Sequence, residues 1–144
     1  MLLDSGERVA REFEVDSDVG DPLFRWVHPR RQLYVKALFE NRPKNTEQLW
    51  VFGSAVTPNH TTDSDLDALI LGDISISELT DLRDVLYETS KADTWNVNKS
   101  VDMLSDTVAN FDRWRAQFGH CYWYVWKYGI QYYDMRWLDD TACK

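Results

Sequence analysis

The pattern of apolar and polar positions predicts four short β-strands. Apolar, β-prone runs occupy residues 49–52, 65–71, 101–104 and 130–133. The first of these runs ends at Gly53, and the second alternates so that Leu66, Ala68 and Ile70 share one face. Asp65 and Asp67 therefore share the opposite face of the second strand.

Helical spacing predicts three longer helices, one before the first strand and two between later strands. One covers residues 30–40, and a second covers 75–89, where Ser75 and Glu78 form the pattern of a capping box. A third covers residues 107–128 and ends at Gly129. One stripe of this third helix holds aromatic residues at intervals of four: Trp114, Phe118, Tyr122 and Trp126. The stripe is typical of core packing, and it could instead stack a base or bind a partner.

These elements predict an α+β fold, a small mixed β-sheet with helices packed on it. No linker, repeat or low-complexity tract divides the chain, so residues 1–144 are expected to form a single domain. Within it, the acidic and weakly patterned residues 1–21 are expected to be an N-terminal extension or edge element.

Composition narrows the classes of function. The 144 residues carry 16 basic and 24 acidic side chains, a formal charge of −8, which argues against nucleic acid as a partner. Cys121 and Cys143 are too few for a disulfide framework. Asp4 follows Met1 too closely to leave room for the apolar core of a signal sequence. No apolar run is long enough to predict a membrane span. A cytoplasmic protein is therefore expected.

The most informative chemistry is the pair Asp65 and Asp67. Two strand residues two positions apart lie about 6–7 Å apart, and at an effective dielectric of about 20 their charges repel by about 2–3 kcal/mol. A bound cation would offset this repulsion, and Mg²⁺ prefers such oxygen ligands. If the strand that carries Asp102 lies alongside, three carboxylates converge, enough for two metal ions in a phosphoryl transfer.

Gly53 and Ser54 supply a complementary feature. A glycine directly after a buried strand allows close approach of a ligand to the backbone. If a helical turn begins there, its N–H groups and the Ser54 hydroxyl suit phosphate oxygens.

Other interpretations of these residues compete with this one. A calcium loop beginning at Asp63 would need a glycine and a glutamate where Ala68 and Ile74 stand, so it is rejected. Asp65, Asp67 and Asp102 could also be solvated strand residues. The three histidines show no metal-ligand spacing. His60 is expected to be a solvated loop residue, with contact to substrate as the alternative. Cys121 is expected to be a buried or helix-face thiol rather than a nucleophile.

The segment FGSAVTPNHTTDSDLDALIL resembles the signature of the nucleotidyltransferase family with the DNA polymerase β-like fold. Gly-Ser, ten residues and Asp-x-Asp are followed by a later strand aspartate, and the similarity covers roughly residues 33–134. The segment YGIQYY at 128–133 is similar to the closing turn and strand of the minimal nucleotidyltransferases. The resemblance implies that Gly53, Ser54 and Ser64 bind nucleotide. It also implies that Asp65, Asp67 and Asp102 bind Mg²⁺ and act in catalysis, with Asp102 as general base.

The resemblance further implies transfer of a nucleotidyl group, by default AMP from ATP, to a hydroxyl on a protein or small molecule, with release of pyrophosphate. A helical partner protein or a second copy would complete the acceptor site, as in toxin–antitoxin pairs. The chain departs from the pattern in having Ala55 where many small members have arginine. Lys91 and Lys99 are candidates to supply the positive charge of the missing arginine, and their spacing in the sequence favours neither. The alternative is a weak or inactive nucleotide- or partner-binding module, such as an antitoxin subunit.

Overall fold

The computed structural model describes residues 10–61, 63–91 and 95–137. Residues 1–9 of the predicted extension and Cys143 lie outside these ranges. The strands are β1 Thr46–Phe52, β2 Leu66–Gly72, β3 Val101–Asp106 and β4 Ile130–Asp134. The helices are α1 Pro29–Glu40, α2 Ile76–Ser90, α3 Val97–Ser100, α4 Val108–Arg115 and α5 Cys121–Tyr128. Short 3-10 turns occupy Pro22–Trp26 and Gly53–Val56.

The four strands form one mixed sheet in the order β3-β2-β1-β4. β1 pairs with β2 and β4 in antiparallel fashion, whereas β2 and β3 are parallel. The predicted α+β class with a mixed sheet is confirmed. The strands are a little longer than predicted at several ends, and β2 begins at Leu66, one residue later than predicted, so that Asp65 immediately precedes the strand.

Helices cover both faces of the sheet. Leu66, Ala68 and Ile70 of β2 pack in one core with residues of α1 and α2, as their alternation predicts. Leu69 and Leu71 face the other way, into a second core with α4 and α5. Asp67 lies on the same face as Leu69 and Leu71, because residues two apart in a strand share a face. Asp67 and Asp102 therefore lie at the end of the sheet where β2 and β3 begin.

The capping box predicted at α2 is confirmed. Ser75 Oγ accepts a hydrogen bond from the Glu78 N–H at 3.1 Å, and Glu78 Oε1 accepts one from the Ser75 N–H at 3.0 Å. The Gly129 prediction is also confirmed, because α5 ends at Tyr128 and the Gly129 N–H donates to Val125 O.

The prediction of one helix over residues 107–128 is wrong. α4 ends at Arg115, Gly119 adopts a φ of +88°, and His120 begins α5 by accepting a hydrogen bond from the Tyr122 N–H. The His120 ring stacks on Trp114 with centroids 5.0 Å apart, which folds the two helices back on each other. The four aromatic residues of the predicted stripe therefore do not line a single helix.

Residues 10–21 lie along α1 without forming a helix or strand. The buried Gln32 side chain holds them, since its Nε2 donates to Glu14 O and its Oε1 accepts from the Asp16 N–H. Among the described residues, no helix is both long enough and apolar enough to cross a membrane.

Candidate active site

The predicted site residues meet at one edge of the sheet. β1 ends at Phe52, where the Gly53–Val56 turn begins, and Phe52 lies opposite Asp67 in the antiparallel pairing. On the other side of β2, Asp67 lies opposite Asp102 in the parallel pairing. Asp67 thus stands between the end of β1 and the start of β3, and the sheet places the glycine turn and two of the acids side by side.

Gly53 lies directly against the Asp67 carboxylate. Its φ is +75°, a conformation that side chains other than hydrogen disfavour. A Cβ placed on Gly53 would collide with Asp67 Oδ2 and lie 3.3 Å from Asp67 Cγ. Glycine is therefore required here for two reasons, the positive φ of the turn and the space that the Asp67 carboxylate occupies.

Asp67 is the most perturbed acid of the site. Its side chain is half-buried, and burial first, then the charges of Asp102 and Asp65, raise its pKa from 3.8 to about 6. Asp102 is exposed, and Asp65 lies at the outer end of the loop before β2. A bound cation would offset the repulsion between Asp67 and these two neighbouring charges most directly.

The donor chemistry of this cluster fits a hard divalent cation. Within residues 10–61, 63–91 and 95–137, no three or more His, Cys, Asp or Glu side chains form a closed set of metal ligands. Mg²⁺ does not require such a set, because one or two carboxylates commonly share it with substrate phosphates. Asp67 and Asp102 offer two adjacent carboxylates of this kind. Because Gly53 has no side chain, the Asp67 carboxylate can occupy the space beside it.

Ser54 is tied to a histidine whose burial the sequence does not predict. Ser54 Oγ lies 3.0 Å from His60 Nδ1 and donates to Asp65 O at 3.4 Å. His60 is only 4% exposed, and its ring lies against that of His28. The expectation of a solvated loop residue is therefore wrong, because the 55–64 loop folds His60 inward beneath Ser54.

Burial, followed by the charge of Arg31, lowers the pKa of His60 to about 4. The imidazole is consequently neutral at neutral pH. Its Nε2 atom has no hydrogen-bond partner among the described residues. His60 can therefore fix the Ser54 hydroxyl without adding a charge, a role that no spacing in the sequence indicates.

Ser64 serves the loop itself. Its Oγ accepts a hydrogen bond from the Thr61 N–H at 3.0 Å and lies 3.1 Å from Thr61 Oγ1. Its carbonyl accepts a hydrogen bond from Arg31 Nη2 at 3.5 Å. The nucleotide-binding role of Ser64 stays a prediction, whereas its contribution to the loop that carries Asp65 is visible.

Cys121 lies at the start of α5, near Asp67 and Asp102. The thiol is exposed at the first residue of α5, and burial, then Asp67 and Asp102, raise its pKa. A thiol near two carboxylates keeps its proton at neutral pH. Cys121 is therefore an exposed helix thiol close enough to Asp67 and Asp102 for their charges to disfavour its thiolate.

Comparison with known proteins gives one family match. A model described as a nucleotidyltransferase domain matches residues 33–117. No curated protein gives a significant match.

Among solved structures, the chain is similar to a toxin–antitoxin complex with AMP-PNP. The identity is 16%, the match covers 77% of this chain and 78% of that chain, and the TM-score is 0.43. It is also similar to a Shewanella oneidensis complex of a tri-AMPylated HEPN toxin with an MNT antitoxin. There the identity is 20%, with the same coverages and a TM-score of 0.42.

The family match spans more than half of the chain and includes the Gly-Ser turn, both acids of the Asp-x-Asp segment and Asp102. The resemblance drawn from those residues is thereby confirmed at the level of the family. The chain belongs to the nucleotidyltransferase domain family.

Proposed function

We propose that this protein is a Mg²⁺-dependent enzyme that transfers a nucleoside monophosphate, AMP by preference, from a nucleoside triphosphate to a hydroxyl acceptor. The observation that carries the proposal is the placement of Asp67. Its carboxylate rests on Gly53, lies opposite Asp102 in the sheet, and has its pKa raised to about 6 by burial and by its acidic neighbours. Such a destabilised acidic pair beside a serine-bearing turn suits a cation and a phosphate together.

In the proposed reaction the acceptor oxygen attacks the α-phosphorus, and the bond from that phosphorus to the bridging oxygen breaks. Pyrophosphate leaves with the bond's electron pair, and the hydroxyl proton passes to Asp102, which is exposed to an incoming acceptor. Bound Mg²⁺ would neutralise charge on the phosphate oxygens. Asp65, Asp67 and Asp102 would hold it, while the Ser54 hydroxyl, whose oxygen lies beside His60, would turn its proton from Asp65 O to a phosphate oxygen.

The acceptor belongs to a protein or a small molecule, and we propose that a helical partner protein or a second copy of this chain completes its site. The exposed aromatic residues of the α4–α5 region support a partner. Phe118 is 77% exposed, and Tyr124 and Trp126 are also exposed. They lie next along the chain to Cys121, which faces Asp67 and Asp102.

Calorimetry with α,β-methylene-ATP, which cannot release pyrophosphate, tests the site without knowledge of the acceptor. Wild-type protein is expected to bind the analogue with Mg²⁺ and to lose most of that affinity with EDTA. Asp67→Asn is expected to remove the Mg²⁺ dependence, whereas Asp84→Asn, a substitution on α2, retains it. Equal Mg²⁺-dependent binding by all three proteins would refute the assignment.

Pyrophosphate release from ATP then separates the enzyme from a binding module. Catalysis predicts Mg²⁺-dependent release that requires an acceptor and is lost in Asp102→Asn. Binding of the analogue without release across protein and small-molecule acceptors would favour the inactive module.

A further inference from the structure

β3 is an edge strand that begins beside the acidic residues of the site. It stands first in the order β3-β2-β1-β4, so among the described residues no strand pairs with its outer side. Its pairing with β2 runs through six consecutive positions without the register shifts that interrupt the β1–β2 and β1–β4 pairings. Its sequence, VDMLSD, also lacks the proline and lysine that often protect edge strands. β3 therefore presents a regular outer edge to which a further strand can add.

The backbone groups of alternate β3 residues point away from β2. Val101 O accepts a hydrogen bond from Arg83 Nη1 of α2 at 3.2 Å, so this carbonyl is directed at a helix side chain and not at β2. Successive residues of a strand direct their N–H and C=O groups to opposite sides. The N–H and C=O groups of Met103 and Ser105 consequently point outward, as Val101 O does, and can pair with an added strand.

The remaining residues of β3 carry the chemistry of the site. Asp102 and Leu104 share the face of Asp67, because Asp67 lies opposite Asp102 in the sheet. Asp102 is exposed, and Leu104 is 36% exposed. In an added strand, the residue opposite Asp102 would project on this same face, with its Cβ about 4.5–5.5 Å from that of Asp102. A serine or threonine hydroxyl there would reach the carboxylate, whereas the longer tyrosine side chain would carry its hydroxyl past it.

The charges near this edge favour a different chain over a second copy of this one. An added β3 from a second copy, in antiparallel pairing, would bring its own Asp102 and Asp106 onto the face that already holds Asp67, and like charges on neighbouring strands are destabilising. A segment that carries lysine or arginine would be attracted to the same acids. The exposed Leu104 side chain would contact an apolar residue two positions from the one opposite Asp102.

We propose that the outer edge of β3 binds the acceptor of the transfer reaction as an added β-strand. The acceptor is an extended protein segment with a serine or threonine opposite Asp102, an apolar residue over Leu104 and basic flanking residues. The hydroxyl oxygen bonds to the α-phosphorus while its proton passes to Asp102, and pyrophosphate leaves with the electron pair of the broken bond. The inference rests on the proposed function and adds to it the class of acceptor and its way of binding.

The probe is the peptide Lys-Leu-Val-Thr-Val-Leu-Lys with both ends blocked, in which a leucine lies two residues from the threonine in either strand direction. Fluorescence anisotropy measures its binding to the wild-type protein with Mg²⁺ and α,β-methylene-ATP. N-methylation of both valines removes N–H groups on one side of the peptide strand, and N-methylation of both leucines removes those on the other. Only one side can face β3, so one of the two peptides should bind about tenfold more weakly, or worse, than the other. Equal affinities would overturn the inference.

A pair of variants tests the edge from the side of the protein. Ser105→Pro removes an outward N–H, and proline is tolerated in edge strands where that N–H makes no ladder hydrogen bond. Ser105→Ala removes the same hydroxyl and keeps the N–H. We expect the proline variant to bind the peptide about 3–10-fold more weakly than the alanine variant, and equal affinities would count against the edge. Circular dichroism and thermal unfolding check both folds. If the proline variant does not fold, the N-methylated peptides decide on the wild type.

The outcomes separate this inference from the proposal beneath it. With ATP and Mg²⁺, mass spectrometry should find AMP on the threonine of the peptide. Wild-type protein that binds α,β-methylene-ATP but not the peptide would overturn the edge assignment alone, and side-specific binding without transfer would overturn the acceptor role. Wild-type protein that shows no Mg²⁺-dependent binding of the ATP analogue would refute the proposed function, and this inference with it.

Discussion

Replacement of Gly53 by alanine tests the geometry of the site separately from the stability of the fold. The new Cβ would collide with Asp67 Oδ2 and would require a residue other than glycine at a φ of +75°. The colliding atom is the end of a side chain, so the carboxylate can turn away. The collision therefore displaces the site, whereas the backbone conformation carries most of the cost in stability.

That backbone cost is about 1–2 kcal/mol for a non-glycine residue at positive φ. For a chain of this length it lowers Tm by about 4 °C per kcal/mol. Gly119→Ala is the matched control, because Gly119 has a φ of +88° and a Cβ added there would meet nothing within 4 Å. The two variants should lose similar stability. Displacement of the carboxylate that we propose holds Mg²⁺ should weaken Mg²⁺-dependent nucleotide binding about 10–100-fold in Gly53→Ala alone.

Thermal unfolding without ligand and calorimetry with Mg²⁺ and α,β-methylene-ATP measure the two effects separately. The expected result is a similar fall in Tm for both variants and a loss of affinity confined to Gly53→Ala. The reasoning is refuted if Gly53→Ala binds the analogue like the wild type, or if Gly119→Ala loses affinity to the same degree.

Three further predictions concern single side chains. Burial and acidic neighbours raise the pKa of Asp67 to about 6, so its charge destabilises the metal-free fold above that pH. Asp67→Asn should therefore exceed the wild type in unfolding free energy at pH 8, with the gain shrinking as pH falls from 6 toward 4 in urea titrations; a pH-independent difference would contradict this. His60, with a pKa lowered to about 4, takes up a proton on unfolding between pH 6.5 and 4. Wild-type protein should accordingly lose stability relative to His60→Phe as pH falls through that range, and the variant, lacking the partner of Ser54, should bind nucleotide about 3–10-fold more weakly. Equal pH slopes and equal affinities would refute the role of His60. Tyr122→Phe removes a 2.6 Å hydrogen bond to Asp106 and should lower the unfolding free energy by about 1–2 kcal/mol without changing nucleotide affinity, as chemical denaturation and calorimetry can check.

Local patterns predicted the parts of the fold that local physics determines. The alternation in β2 and the Ser75–Glu78 cap depend on residues close in sequence, and both predictions are confirmed. The break after Arg115 had a local signal in Gly119 and His120, but the aromatic spacing of four masked it. The stacking of His120 on Trp114, which accompanies the turn, depends on how α4 and α5 pack on the sheet.

The site divides in the same way. The Gly53-Ser54 and Asp65-x-Asp67 spacing can be recognised in the sequence because the motif lies on consecutive elements. The sequence left open whether the strand of Asp102 lies beside β2, and the structure pairs the two strands in parallel, with Asp102 opposite Asp67. Tertiary contacts bury His60 beneath Ser54. Tertiary contacts also bring Arg30 and Arg31 of α1 close enough to His60 for their charges to act on it. No periodicity in the sequence predicts these contacts, so the positive charges near the Ser54 turn could be identified only from the folded structure.

The central claim is that Asp67 and its acidic neighbours hold a divalent cation together with nucleotide. Electron paramagnetic resonance of Mn²⁺, a hard cation with the same oxygen-ligand preference, tests it most directly. With α,β-methylene-ATP present, wild-type protein and Asp84→Asn should reduce the signal of free Mn²⁺ below that of nucleotide alone, and Asp67→Asn should not. The same reduction in Asp67→Asn, or none in the wild type, would contradict the account.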